Sequence, residues 1–267
     1  MNILVTLNSS YINPLKVMFK SLFISNSEVD FTIYLMHSSL SKEEVAMLEN
    51  FVQTEGNTLV EIPIHDHYFA DAPILKHYSK EMYYRLLAHK FLPNDVEKIL
   101  YLDPDILVIN KLNSLYDMDI SEYLYAAAYH DRAKVNELNK IRFKEYEVEN
   151  YYNSGVLLMN VTKQRKEMKE QEIFDFVNEN KKKLILPDQD IINGLYSKEI
   201  KNIDEVKYNF DARFYLYYKI TNKIDMDYII ENTAIIHFCG KKKPWLKNYT
   251  GKFHSLYKYF EREALRH

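Results

Sequence analysis

The chain has 267 residues, a net charge of −3 and a pI near 6.3. Hydrophobic residues make up 47% and charged residues 27%, which is enough for an α/β core without staples and lacks the basic excess of a nucleic-acid binder. Cys239 is the single cysteine, which excludes an intramolecular disulfide and a cysteine-based zinc cluster and makes a cytoplasmic setting the simplest expectation.

The chain opens Met1-Asn2-Ile3-Leu4-Val5-Thr6, without the basic flank or apolar length of a secretion signal. No stretch approaches the roughly 18 apolar residues of a membrane span, so peripheral membrane association is the most that is expected. There are only 5 glycines, and neither G-x-G-x-x-G nor G-x-x-x-x-G-K occurs, so a Gly-rich phosphate loop is excluded. The 23 tyrosines read either as ring platforms for sugars or bases, or as fillers of half-buried surface.

Residues 3–7 predict a short buried strand. Asn13-Pro14 predicts a helix start with Asn13 as the cap, and Leu15, Met18, Phe19 and Leu22 follow at helical spacing. Residues 31–36 predict a second strand. Ser41-Lys42-Glu43-Glu44 is a capping box for a helix reaching about residue 53, and residues 58–62 predict a third strand. Strands alternating with helices predict a mainly parallel, Rossmann-like sheet flanked by helices.

Residues 63–78, with His65, Asp66, His67 and His77, read as a surface loop. Ser79 is placed to cap a helix running to about Phe91 and carrying Arg85. Strands are expected at 96–102, 106–109, 123–129 and 155–160, then one long amphipathic helix over 162–183. A helix is expected from Asp188 to about Tyr196, a last strand over 234–238, and a helix from Lys252 onward. No repeat, linker or composition break divides the chain, so a single domain over 1–267 is the economical reading.

Tyr101-Leu102-Asp103-Pro104-Asp105-Ile106 sets two carboxylates two residues apart in an apolar run. On an extended chain they point to one side, where they can grip a hard divalent cation. Pro104 cannot continue a central ladder, so the sheet should end there, at the strand terminus where open α/β sheets bind ligands. A plain Asp-Pro turn is the competing reading. His237-Phe238-Cys239-Gly240, followed by Lys243-Pro244-Trp245, offers an imidazole ligand and a phosphate-binding ammonium, or a core histidine before a solvated lysine run. Asn153-Ser154-Gly155-Val156-Leu157-Leu158 and Asp188-Gln189-Asp190 place amides and carboxylates suited to sugar hydroxyls ahead of regular elements, or are a turn and a helix cap.

In this order and spacing the four segments resemble glycosyltransferase family 8, over roughly residues 2–250. The resemblance implies a GT-A fold, a UDP-sugar donor (UDP-galactose or UDP-glucose), a Mn²⁺ ion with Mg²⁺ as the alternative, and retention of anomeric configuration. It implies Asp103, Asp105 and His237 as metal ligands, and Arg85, Asn153 and Gly155 at the donor. Asp188 would hold donor hydroxyls, Gln189 would lie near the anomeric carbon with Asp190 beside it, and Gly240 and Lys243 would grip the diphosphate. Asp131 falls near an acceptor-side aspartate. One departure stands at Thr6-Leu7-Asn8-Ser9-Ser10-Tyr11, where many members carry an aspartate pair. Asn8 keeps an amide for the uracil edge.

Gln189 is a neutral amide and a poor nucleophile, while Asp190, one residue on, faces elsewhere on a helix. Same-face attack through an ion-pair-like state is therefore expected, with Gln189 stabilising positive charge on the sugar. Trp245 reads as a latch over the donor or as an anchor for the C-terminal helix. The acceptor, a glycan or glycolipid, would meet loops 63–78, 129–152 and the segment after Gly240. The competing functions are a sugar-nucleotide hydrolase, which would gain no rate from an acceptor sugar, and a degenerate UDP-sugar-binding protein. An oligonucleotide binder would need a basic groove.

Overall fold

The computed structural model describes residues 1–69, 72–73, 82–129 and 142–266. Ser79, His77, His130 and Asp131 lie outside these residues.

The larger sheet has seven strands in the order β3-β2-β1-β4-β7-β6-β8. They are β1 (Asn2–Thr6), β2 (Thr32–His37), β3 (Thr58–Pro63), β4 (Lys98–Leu102), β6 (Tyr125–Ala127), β7 (Val156–Asn160) and β8 (Ile200–Asn202). The β3-β2-β1-β4 run is parallel, β7 is antiparallel to both its neighbours, and β6 pairs β8 in parallel. Alternate residues face opposite layers. Ile3, Val5, Ile33, Leu35, Leu100 and Leu102 join the core beneath helix α1 (Ile12–Ser25) and the C-terminal helix His254–Ala264. Leu4, Tyr34, Met36, Ile99 and Tyr101 join the core on the other face, under the helices at 161–196. Both faces are therefore covered, as the near-continuous apolar character of the parallel strands requires.

The chain order reverses between β1 and β4: β2 and β3 extend to one side of β1, and β4 lies on the other. That switch point, at the carboxyl ends of β1 and β4, is where an open α/β sheet leaves a crevice. The smaller sheet, β5-β10-β9, stands against it, with β5 (Ile106–Val108), β10 (Ile235–His237) and β9 (Phe210–Asp211). The Asp103-Pro104-Asp105 link joins the two sheets. The Asp103 N–H donates to Gly155 O at 2.9 Å, and Asp105 O accepts from the Phe238 N–H at 3.0 Å.

The Ser41 capping box forms as expected and starts α2 (Lys42–Thr54). Several expectations are corrected. Asn13 is not a cap: a 3₁₀ turn (Ser9–Tyr11) runs into α1, and Asn8 caps it by accepting from the Ser10 N–H. The long helix over 162–183 is two, Val161–Glu167 and Glu170–Asn180. They are broken at Met168, whose extended backbone turns the side chain into the core, where the Tyr125 hydroxyl meets its sulfur at 3.5 Å. The helix carrying Arg85 is short, α3 (Met82–Leu86), with a 3₁₀ turn (Ala88–Lys90) after it. The 63–78 segment is not wholly superficial: Ile64, Phe69 and Ala72 are buried, and the Phe69 ring stacks on Tyr83 with centroids 5.6 Å apart. Its apolar side chains contribute to the core, and helices at 205–208, 215–221 and 226–232 add elements that no strong periodicity announced.

Candidate active site

Asp103 follows β4, Asp105 precedes β5 and His237 ends β10. Their ligand atoms all lie within 4.8 Å of one another. His237 Nε2 is 3.3 Å from Asp105 Oδ1 and 3.8 Å from Asp103 Oδ2. The backbone turns at Pro104-Asp105 rather than staying extended as the sequence suggested, yet the two carboxylates converge on one imidazole.

A chain of amides orients that imidazole. The Gly155 N–H donates to Asn153 Oδ1 at 3.0 Å, which fixes that atom as an acceptor. Asn209 therefore turns its Nδ2 to Asn153 Oδ1 at 2.9 Å and its Oδ1 to His237 Nδ1 at 2.9 Å. Nδ1 then carries the proton, and Nε2, the atom facing both aspartates, offers the lone pair of the neutral ring. Gly155 has no room for a side chain. A Cβ there would stand 2.6 Å from Asp103 Oδ2 and 2.3 Å from His237 Cε1, inside the cluster.

Burial opposes charge on His237, but Cys239 and Asp105 outweigh it and hold the imidazole well above its ordinary range. Burial likewise pushes the Asp105 carboxyl up, yet His237 and Lys243 prevail and hold it well below the carboxylate range. Lys243 pairs with Asp105 and donates to Phe238 O at 2.9 Å.

On the other side, Arg85 bridges Asp103 at 3.1 Å and Asp188 at 3.2 Å, donates to Ser154 O at 3.1 Å, and lies 4.4 Å over the Tyr101 ring. The Tyr101 hydroxyl donates to Asp103 Oδ1 at 2.6 Å. Asp188 also accepts from Ser154 Oγ at 3.0 Å. Gln189 Oε1 accepts from Asn153 Nδ2 at 3.2 Å and from the Ser154 N–H at 3.3 Å, so the amide is held at the same wall.

The structure thus brings Arg85, Asp103, Asp105, Asn153, Gly155, Asp188, Gln189, His237 and Lys243 together. Asp190 is set apart. It is fully buried, accepts from Arg142, Tyr151 and the N–H groups of Ile185 and Leu186, and closes the start of the helix Pro187–Tyr196. Asn8 follows β1 and is exposed, with its oxygen accepting from the Ser10 N–H and hydroxyl. Gly240 takes φ +81°, a left-handed value that suits glycine. Trp245 packs edge-on to Tyr11 at 5.7 Å and against Tyr257 of the C-terminal helix at 6.0 Å, so its anchoring reading has direct contacts.

Sequence reasoning missed Asn209, Asp211, Arg213 and Asn193. Asn193 is buried and holds Tyr152 N and O at 2.6 and 2.8 Å, which ties the helix to the Asn153 segment. Its spacing, one turn after Gln189, was the available signal. Asn209 sits beside a two-residue strand with no periodic pattern.

Residues 2–249 match the family described as Glycosyl transferase family 8. General stress protein A of Bacillus subtilis (strain 168) is 26% identical over 262 residues, covering 93% of this chain and 88% of that protein. The lipopolysaccharide 1,2-glucosyltransferase of Escherichia coli is 26% identical over 241 residues, covering 84% and 67%. The crystal structure of the galactosyltransferase LgtC with donor and acceptor sugar analogs superposes with a TM-score of 0.84 at 25% identity, covering 98% of this chain and 96% of that one. The match spans nearly the whole chain and agrees with the sheet order and the crevice it creates, so the chain belongs to glycosyltransferase family 8 and is a glycosyltransferase of GT-A fold.

Proposed function

We propose that the chain, acting as one domain, transfers a hexose from UDP-galactose or UDP-glucose to a glycan or glycolipid acceptor, with a divalent metal and with retention of configuration. The observation that carries this reading is the meeting of Asp103, Asp105 and His237 in one cluster, with Asp188 and Gln189 tied to it through Arg85 and Asn153.

The residues fit a metal. Two carboxylates and an imidazole whose free nitrogen is selected by Asn209 form a mixed oxygen and nitrogen set, suited to Mn²⁺ and open to Mg²⁺. A metal held there would supply positive charge against the negative charge that grows on the UDP leaving group. Lys243 adds an ammonium at the same place, and Gly240 lets the backbone approach the diphosphate. Asn8 donates to the uracil edge. Arg85 keeps the Asp188 carboxylate turned inward for the donor hydroxyls. Gln189, held by Asn153 and Ser154, places a neutral dipole rather than a nucleophile beside the anomeric carbon, which supports same-face attack.

The test is a donor screen with UDP-galactose and UDP-glucose in the presence of Mn²⁺, scoring UDP release with and without saccharide acceptors and the product anomer by NMR. An α-linked product from an α-linked donor is expected, with measurable transfer in Gln189→Ala and none in Asp103→Ala. An inverted product overturns retention. Release that no acceptor accelerates identifies a hydrolase. Among the described residues no helix is long and apolar enough to cross a membrane.

A further inference from the structure

Asp211 and Arg213 stand beside the cluster without a part in the donor site proposed above. Asp211 is fully buried on β9, paired in register with His237. Its carboxylate accepts from Arg213 Nε at 3.0 and 3.2 Å, from Nη2 at 2.7 Å, and from the Arg213 N–H at 3.0 Å. A buried carboxylate is costly unless paired and hydrogen-bonded. Here the pairing fixes the orientation of one guanidinium.

Nη1 is left over, with no acceptor among the described residues. It lies against Gly240, where an added Cβ would stand 2.8 Å from it. The guanidinium is flush with the backbone that begins the Gly240–Trp245 segment. Its depth separates it from the donor-side cations: the Arg213 side chain is 48% exposed, against 15% for both Arg85 and Lys243. By exposure Arg213 lies at the outer rim of the cluster, and the other two lie deeper in it. Lys241 and Lys242, next to Gly240, are exposed and have no acidic partner among the described residues. Arg213, Lys241 and Lys242 are thus exposed cations on either side of Gly240, with Asp211 paired to Arg213 and Asp105 within electrostatic reach of it, in a chain whose net charge is −3.

We propose that this rim binds an oxyanion carried by the acceptor, a phosphate or carboxylate on the saccharide, with Arg213 as the acceptor-reading residue. This inference rests on the donor assignment above, which places Lys243 and the metal ligands at the diphosphate. A guanidinium held by its Nε edge keeps its other edge for a second oxyanion, and arginine matches phosphate and carboxylate in a way a lysine does not. Lys241 and Lys242 add long-range attraction, which salt screens.

The experiment measures binding of galactose, galacturonate and galactose 6-phosphate to the protein saturated with UDP and Mn²⁺, by calorimetry. It uses wild type, Arg213→Gln and the double variant Lys241→Gln/Lys242→Gln. The double variant changes only exposed side chains and keeps the test open should Arg213→Gln unfold around an unpaired Asp211. Wild type is expected to prefer a charged saccharide over galactose. Arg213→Gln should weaken the charged saccharide by about tenfold or more, the size of a lost charge-assisted hydrogen bond, and leave galactose unchanged. The double variant should shift the charged saccharide in the same direction by less. No preference in wild type, including no binding of any of the three, overturns the proposal. Weaker UDP affinity in Arg213→Gln, measured before saccharide is added, overturns it by assigning Arg213 to the donor. Absence of UDP binding in wild type marks failure of the donor assignment itself, and the proposal falls with it.

Discussion

Two Asp-x-Asp segments face one another across the site, and the same spacing does two different things. Asp103 and Asp105 lie in the link between β4 and β5, with a turn at Pro104-Asp105, and both carboxylates reach His237. Asp188 and Asp190 begin a helix, where two positions are roughly 200° apart around the axis. Asp188 turns to Arg85 and Ser154, while Asp190 turns inward to Arg142, Tyr151 and two backbone N–H groups. Spacing therefore acquires chemical meaning only once the backbone is known: one pair converges on an imidazole, and the other divides into a residue beside that cluster and one that closes a helix start.

The comparison breaks most visibly at Asp103. Asp103→Asn should remove detectable Mn²⁺ binding while leaving the thermal midpoint close to wild type, since Arg85 keeps Asp188; calorimetry with a parallel melt checks both. Asp190→Ala should do the reverse. It strands Arg142 and two backbone N–H groups, at a cost of about 3–5 kcal/mol in a denaturant titration, while the folded fraction still binds Mn²⁺. Equal loss of metal binding in both variants would mean that the two pairs do not differ as described.

Histidines sharpen the same point. His237 is raised by its acidic surroundings, whereas burial, with help from Lys90 and Arg165, pushes His89 down to about 4. The unfolded chain protonates His89 near 6.5, so from there towards pH 4 the unfolded state binds the extra proton. Stability should fall over that window and level off below it. A His89→Gln variant should flatten the curve by about 3 kcal/mol at pH 4, read from denaturant titrations at each pH. His237 has the opposite sign in the metal-free protein: its contribution is complete below 6.5 and is lost as pH rises through its raised value. The smallest effect is expected at Asn209. Asn209→Ala frees the imidazole tautomer and should weaken Mn²⁺ by about 10–100-fold without abolishing it, as loss of a supporting residue does.

The order of strands and helices up to β3 was legible because each element there carries its own punctuation: an apolar strand, the Ser41 box, a second apolar strand. The Asp103–Asp105 pair was legible for a different reason, since charged residues interrupt apolar runs only at a cost. What escaped is polar structure without period. Asn209 precedes and Asp211 ends a strand of two residues, and their roles exist only through a partner strand and a neighbouring loop. The break at Met168 escaped because both helices continue the same amphipathic pattern, and only the core decides that Met168 turns inward. Asn8 took the capping role expected of Asn13 because a 3₁₀ turn lengthened the helix start by one turn.

The most direct test of the central claim, that the Asp103–Asp105–His237 cluster holds a metal for a UDP-sugar, is calorimetric titration of UDP into wild-type protein with and without Mn²⁺. Binding that depends on Mn²⁺ is predicted, with little heat in its absence. UDP affinity that is the same in both conditions, or no binding in either, would contradict the metal-bridged donor site.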